Sequence, residues 1–271
     1  MATKRILFIS QEINPYLPAT GQSTFGKELP HVFHANGYEA RIFMPRYGTV
    51  NERRNQLHEV IRLSGINIPI ADADHPLIIK VASLPPARLQ AYFIDNDDYF
   101  QKLDSDVDPV GSDRPDNDER LIFYTRGTIE TARKLRWDPD VIVCTGWMAL
   151  LAPLYLRRLY ADEPSFKKSK IVSVFDTTSF HGTLPAAFVN KLKAEGVKES
   201  DLKLLKGKDI TLGVLQTLAI KYANGVIFHT PEPAPEALAA IESAKAKVLP
   251  WEQAQAGAQA FLDFVNSLDS K

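Results

Sequence analysis

Three short stretches of the chain carry the side chains best suited to chemistry. Residues 11–22 offer Glu12, Thr20, Gly21 and Gln22; residues 145–148 offer Trp147; residues 176–182 offer Asp176, Thr177, Thr178, His181 and Gly182. Small hydroxyls, one or two carboxylates and an indole are what a sugar site uses. Polyols need directional donors and acceptors, and an aromatic face covers the C–H side of the ring. Plainer roles compete with this one. Gly21 and Gly182 can simply supply a positive φ in a turn, and Trp147 can start a helix by packing inward.

Several strong signatures are missing. No G-x-G-x-x-G follows the first apolar run, where only Gly21 and Gly26 occur, which disfavours a nicotinamide-dependent enzyme. Nor is there a G-x-x-x-x-G-K-[ST], an H-E-x-x-H, a G-x-S-x-G or a paired C-x-x-C. His31 and His34 share a helical spacing but have no third ligand nearby, so they read as solvent-facing histidines. No metal and no cofactor is expected.

The elements that must position these loops can be read from periodicity. Residues 5–10 form a buried strand, and residues 39–44 form the next one. Between them lies a helix capped by Ser23 or Thr24 and ending at Gly37, with Pro30 expected to kink it or mark its true start. Residues 57–70 and 76–94 read as extended segments making one or two antiparallel hairpins. An acidic loop over 103–116 is expected to be mobile, and a long helix then runs to about Trp137. Strands over 141–144, 171–175 and 226–228 alternate with helices over 148–160, 185–195 and 210–224, and an alanine-rich helix begins at Pro235. A final amphipathic helix over 252–268 carries Ala254, Ala258, Phe261, Val265 and Leu268 on one stripe.

This pattern predicts an α/β fold: a Rossmann-like parallel sheet with helices on both faces and a β-hairpin insertion. Residues 1–250 read as one domain, and 251–271 as a helix packed on it. In such sheets ligands bind beyond the carboxyl ends of the strands, where the three loops leave.

Composition narrows the functional classes. With 45% hydrophobic residues and a net charge of -1, the chain is neither disordered nor strongly charged. The balance of 32 Lys+Arg against 33 Asp+Glu leaves no basic excess for tracking nucleic acid. The longest uncharged apolar run, 147–156, is too short to cross a bilayer, and the first residues do not resemble a signal peptide. A single cysteine, Cys144, cannot form an internal disulfide. No nucleic acid, no membrane and a cytoplasmic location are therefore expected.

A resemblance to a known family runs along nearly the whole chain. Arg5-Ile-Leu-Phe-Ile-Ser-Gln-Glu12, Pro15-Tyr16, Thr20-Gly21, Leu29-Pro30, Gly37 and the run from Arg41 to Tyr47 resemble the opening of bacterial glycogen synthases and plant starch synthases. The run Tyr92 to Phe100, Asp116-Asn-Asp-Glu-Arg120, Trp137-Asp-Pro-Asp-Val-Ile142, Trp147, Phe180-His181-Gly182 and Tyr222-Ala-Asn-Gly-Val226 follow in the family's order. The run from Asn51 to Gly65 also resembles the short, stand-alone glycogen synthases of Bacteroidetes-type bacteria.

The resemblance implies the N-terminal, acceptor-side domain of a two-lobed (GT-B) glycosyltransferase. In that family glucose passes from ADP-glucose to an α-1,4-glucan in the cleft between the lobes. The C-terminal nucleotide-sugar domain would be absent, and the last helix would be the one that braces the N-terminal lobe.

The resemblance also marks departures. The lysine of the family's K-T-G-G-L loop falls on Ala19, in Ala19-Thr20-Gly21-Gln22-Ser23. Its H-D-W-H block reads Thr145-Gly146-Trp147-Met148, and its H-N pair falls on Asp176-Thr177. Three expectations follow: a glycogen/starch synthase-like chain not catalytic alone, a non-catalytic α-glucan-binding or regulatory module, or an interaction subunit for a protein partner that supplies the donor domain.

Overall fold

The computed structural model describes residues 3–101 and 108–268. The chain opens with β1 (Arg5–Ser10), α1 (Gly21–Ala35) and β2 (Glu39–Pro45). It continues through β3 (His58–Glu59), β4 (Ile66–Ile70), β5 (Ala73–Leu84) and β6 (Leu89–Asp95). The short α2 (Asp97–Phe100) precedes the long α3 (Asn117–Lys134), then β7 (Val141–Thr145), a 3-10 turn at Trp147–Ala149 and α4 (Ala152–Arg158). The remainder runs β8 (Lys170–Phe175), α5 (Phe188–Ala194), α6 (Leu212–Tyr222), β9 (Gly225–Phe228), α7 (Pro235–Ser243), β10 (Lys247–Leu249), α8 (Trp251–Ala254) and α9 (Ala258–Ser267).

One sheet organises the molecule, in the order β10-β9-β8-β7-β1-β2-β6-β5-β3, with β4 paired to β5 off this path. From β10 to β6 all pairings are parallel, and β5 then pairs antiparallel with β6, β3 and β4. The inner strands are buried along almost their whole length, as expected for parallel strands covered by helices on both faces. The predicted hairpin insertion is thus no appendage. Strand β6 closes a hairpin with β5 while also pairing in parallel with β2, which carries the insertion into the sheet. The strands at the two ends of this order, β3 and β10, are two and three residues long, and β4 pairs only with β5 among the described residues.

The sheet reverses direction of growth between β1 and β7, and that junction is tightly built. The Gln11 N–H donates to the Thr145 carbonyl at 3.1 Å, extending the β1–β7 pairing beyond the strand ends. Gly146 then turns the chain away at φ 80°, and a Cβ there would lie 2.5 Å from Gln11 Cβ. Only glycine satisfies both the dihedral and the contact. The helix α3 is tied to the same point, because the buried Tyr124 hydroxyl lies 2.8 Å from the Ser10 carbonyl and 3.0 Å from that of Phe43.

Several sequence-level expectations change. Helix α1 starts earlier than Ser23: Thr20 is its N-cap, in a reciprocal capping box with Ser23. Pro30 is accommodated inside that helix and does not mark its start. The expected terminal helix is broken into α8 and α9 by Gly257 at φ 94°. Its second half packs on α1 through Phe261, whose ring centroid lies 4.7 Å from that of Phe25, and Tyr38 Oη donates to Asn266 at 2.6 Å.

Residues 103–107 of the expected acidic loop lie outside the described residues. Its remainder is pinned by Arg120, a fully buried guanidinium that donates to the carbonyls of Tyr99, Val110 and Gly111 and to Asn117 Oδ1. Among the described residues no helix is long and apolar enough to cross a membrane.

Two substitutions test this packing. Gly146→Ala combines left-handed strain with a clash against Gln11 and is expected to destabilise by about 2–4 kcal/mol in chemical denaturation. Phe261→Ala removes the ring joining α9 to α1 and is expected to cost about 3 kcal/mol, read as a Tm lower by roughly 6–12 °C.

Candidate functional site

The loops after β1, β7 and β8 meet at the carboxyl edge of the sheet. They form a narrow crevice lined by Gln11, Glu12, Gln22, Thr145, Asp176 and Thr178, with Phe25 and Gly26 as its wall. This is the switch-point location where open parallel sheets place ligands. The wall approaches closely because residue 26 is glycine: a Cβ there would lie 2.4 Å from the Glu12 carbonyl oxygen.

Each carboxylate is held by its own loop. Glu12 Oε2 accepts from Thr20 Oγ1 at 3.0 Å, and Glu12 Oε1 from Gln11 Nε2 at 3.4 Å. Asp176 closes a small turn, accepting at Oδ1 from the Thr178 N–H at 2.9 Å and from the Thr178 hydroxyl. Burial pushes the Asp176 carboxyl up to about 6, opposed by the Thr178 hydrogen bonds and reinforced by the negative charge of Glu12. Burial also raises the Glu12 carboxyl, against the two hydrogen bonds that it accepts. No Lys, Arg or His is among the described residues lining the crevice.

Gln22 reaches across it. Its Nε2 donates to Thr177 Oγ1 at 3.1 Å, joining the first turn of α1 to the loop after β8. With this bridge in place the free space inside is about 10 Å3, room for a water and not for a pyranose. A larger ligand must lie over the mouth. One group inside has no partner: Gln11 is 3% exposed, and its Oε1 accepts no hydrogen bond.

The remaining predicted residues fall elsewhere. Trp147 is 1% exposed and meets Phe180 edge-on with ring centroids 5.4 Å apart, so its indole offers no open face and packs inward as a core residue. Gly21 is an ordinary helical residue without positive φ, whereas Gly182 does take φ 69°. His181 and Gly182 are exposed and do not line the crevice, and the His181 N–H is anchored to the Ser112 carbonyl at 3.1 Å.

Sequence reasoning picked out Glu12, Gln22, Asp176 and Thr177 but missed Gln11, Gly26 and Gly146 as site-forming residues. Gly146 carried a usable signal, a glycine one residue past a buried strand. Gln11 carried none. Among the described residues no group of three or more His, Cys, Asp or Glu could hold a metal ion.

Comparison with known proteins places this geometry. The family model for the starch synthase catalytic domain matches residues 5–240. Among curated proteins, the glycogen synthase of Chlorobium luteolum is 38% identical over 195 residues, covering 71% of this chain and 40% of the relative. That of Chlorobaculum parvum is 35% identical over 238 residues, covering 84% of this chain and 46% of the relative. The chain therefore spans less than half the length of these relatives. Among solved structures, the catalytic domain of starch synthase IV from Arabidopsis thaliana, bound to ADP and acarbose, superposes with a TM-score of 0.74 at 16% identity, over 92% of this chain and 51% of that one. The parallel sheet, the crevice at its carboxyl edge and a family match over most of the sequence agree: this chain belongs to the starch synthase catalytic domain family, as a glycogen synthase-like protein with the fold of one GT-B lobe.

Proposed function

We propose that this chain is the acceptor-side lobe of a glycogen-synthase-type system: it binds the end of an α-1,4-glucan at the mouth of the crevice and does not transfer glucose by itself. The observation that carries this reading is the lining of the crevice. It holds two carboxylates, threonine hydroxyls and the unpartnered Gln11 Oε1, with no cation among its described residues. Neutral polyols suit such acceptors. A sugar nucleotide does not, because the diphosphate would face Glu12 and Asp176 at close range with nothing to offset its charge.

Transfer from a nucleotide sugar requires stabilisation of the departing diphosphate and a donor held against the acceptor. The lysine that the family places near the donor phosphates is replaced by Ala19. A cytoplasmic location belongs to the same reading, and the one cysteine, Cys144, a free thiol buried in the core, suits a reducing compartment.

Retention by glycogen, glucose transfer and donor binding together test the proposal. Affinity electrophoresis through glycogen is expected to retard the chain, and Glu12→Gln with Asp176→Asn to weaken retention about tenfold, equivalent to roughly 1.4 kcal/mol. The same protein is expected to incorporate no labelled glucose from ADP-glucose and to show no micromolar affinity for ADP-glucose in calorimetry. Elongation of a dextrin primer by the chain alone overturns the reading.

A further prediction concerns pH. The folded Asp176 carboxyl sits near 6, above the usual carboxylate value of about 4, so between these pH values the native state binds the extra proton. The Asp176 contribution to stability is thus present at low pH and lost as pH rises through that window. Relative to Asp176→Asn, the parent is expected to gain Tm on acidification from pH 7 to about 4.5.

A further inference from the structure

A larger cavity is lined in part by the segment that follows Gly182 and shares no lining residue with the crevice. Its volume is about 890 Å3, ample for a small organic ligand. The walls come from residues 183–210, with Arg114 and Pro115 at one side. The Leu184 N–H donates to the Ile210 carbonyl at 3.0 Å, which draws the two ends of this segment together and makes the enclosure.

The chemistry of this cavity is divided. Leu184, Leu202, Leu205 and Ile210 are 1–3% exposed and form an apolar floor. The rim carries Lys203, Lys206 and Lys208, all exposed, and none lies within ion-pair distance of a carboxylate among the described residues. The other lining cations are engaged: Arg114 by Asp116 at 2.6 Å, and Lys193 by Glu199 at 3.8 Å. With those two pairs set aside, Lys203, Lys206 and Lys208 face Asp209 as the one remaining lining acid, in a chain whose net charge is -1. An uneven rim of this kind attracts an anion, and an apolar floor favours one attached to a ring or chain over a bare ion.

We propose that this cavity is a second binding site, for a phosphate monoester carried on a ring-bearing small molecule, either a sugar phosphate or a nucleotide. The phosphate sits among Lys203, Lys206 and Lys208, and the ring lies on the floor formed by Leu184, Leu202, Leu205 and Ile210. Thr183 and Leu184 directly follow Gly182 in the chain, so an occupant also touches the loop that leads from the crevice.

The test is calorimetry on the full chain with AMP, glucose 6-phosphate, inorganic phosphate and glucose, at low and at elevated salt. Sub-millimolar binding of at least one ester is expected, weakening at high salt, with inorganic phosphate at least tenfold weaker and glucose silent at this site. Tighter binding of AMP assigns a nucleotide, and tighter binding of glucose 6-phosphate assigns a sugar phosphate. The double variant Lys203→Glu/Lys206→Glu alters exposed side chains and is expected to melt as the parent does, while losing ester affinity at least tenfold. Asp176→Asn is expected to bind the esters as the parent does. The proposal is overturned if neither ester binds below about 1 mM, if the lysine variant binds unchanged, if inorganic phosphate equals the better ester, or if Asp176→Asn abolishes binding.

Discussion

The close approach of Gly146 to Gln11 is the constraint on which the rest of the site depends. Strands β1 and β7 are neighbours in the sheet, yet the chain grows away from them in opposite directions. Their following loops must therefore part within one or two residues of the last pairing. Gly146 does this with a left-handed turn against the Gln11 side chain, which fixes that amide below the crevice and sends Trp147 into the core. The crevice is the gap left by this parting, and Glu12, Thr145 and the turn at Asp176 stand around it. A bulkier residue at 146 would move both loops at once.

Much of the architecture could be read from hydrophobic patterning, since buried parallel strands such as residues 5–10 and 170–175 announce themselves as short apolar runs between polar punctuation. The failures have definite causes. Strand β6 has two partners of opposite sense, and no local pattern encodes which neighbour lies on each side. The break at Gly257 was hidden because the apolar stripe of α8 and α9 stays nearly in phase across it. The order in residues 108–116 comes from Arg120, a charged residue that periodicity assigns to a helix surface and that tertiary hydrogen bonding buries. At the site the loops were legible, because they follow strand ends, but the inward turn of Trp147 was not. An indole at a strand-to-helix junction looks the same whether it faces ligand or core.

Family membership and site chemistry come apart here. The fold is shared with a starch synthase catalytic domain solved with ADP and acarbose, while the crevice of this chain is lined by carboxylates, hydroxyls and amides with no cation among its described residues. Burial raises both carboxyls, and the Gln22–Thr177 bridge fills the space above them. A fold fixes where a ligand can approach, and the side chains at that place decide what it can be.

The two ends of the sheet bear on how the molecule behaves among its own copies. A wide sheet with long, bare borders would present rows of unpaired amides and carbonyls, an invitation to accrete further chains into fibrous aggregates. Here one border is the dipeptide His58–Glu59, polar and exposed, and the other is the three-residue stretch from Lys247, opened by a cation. Neither stretch offers much backbone to a new neighbour, so brevity and charge guard these two margins against self-adhesion. A third, β4, which among the described residues pairs only with β5, carries Pro69, a residue with no amide hydrogen to donate.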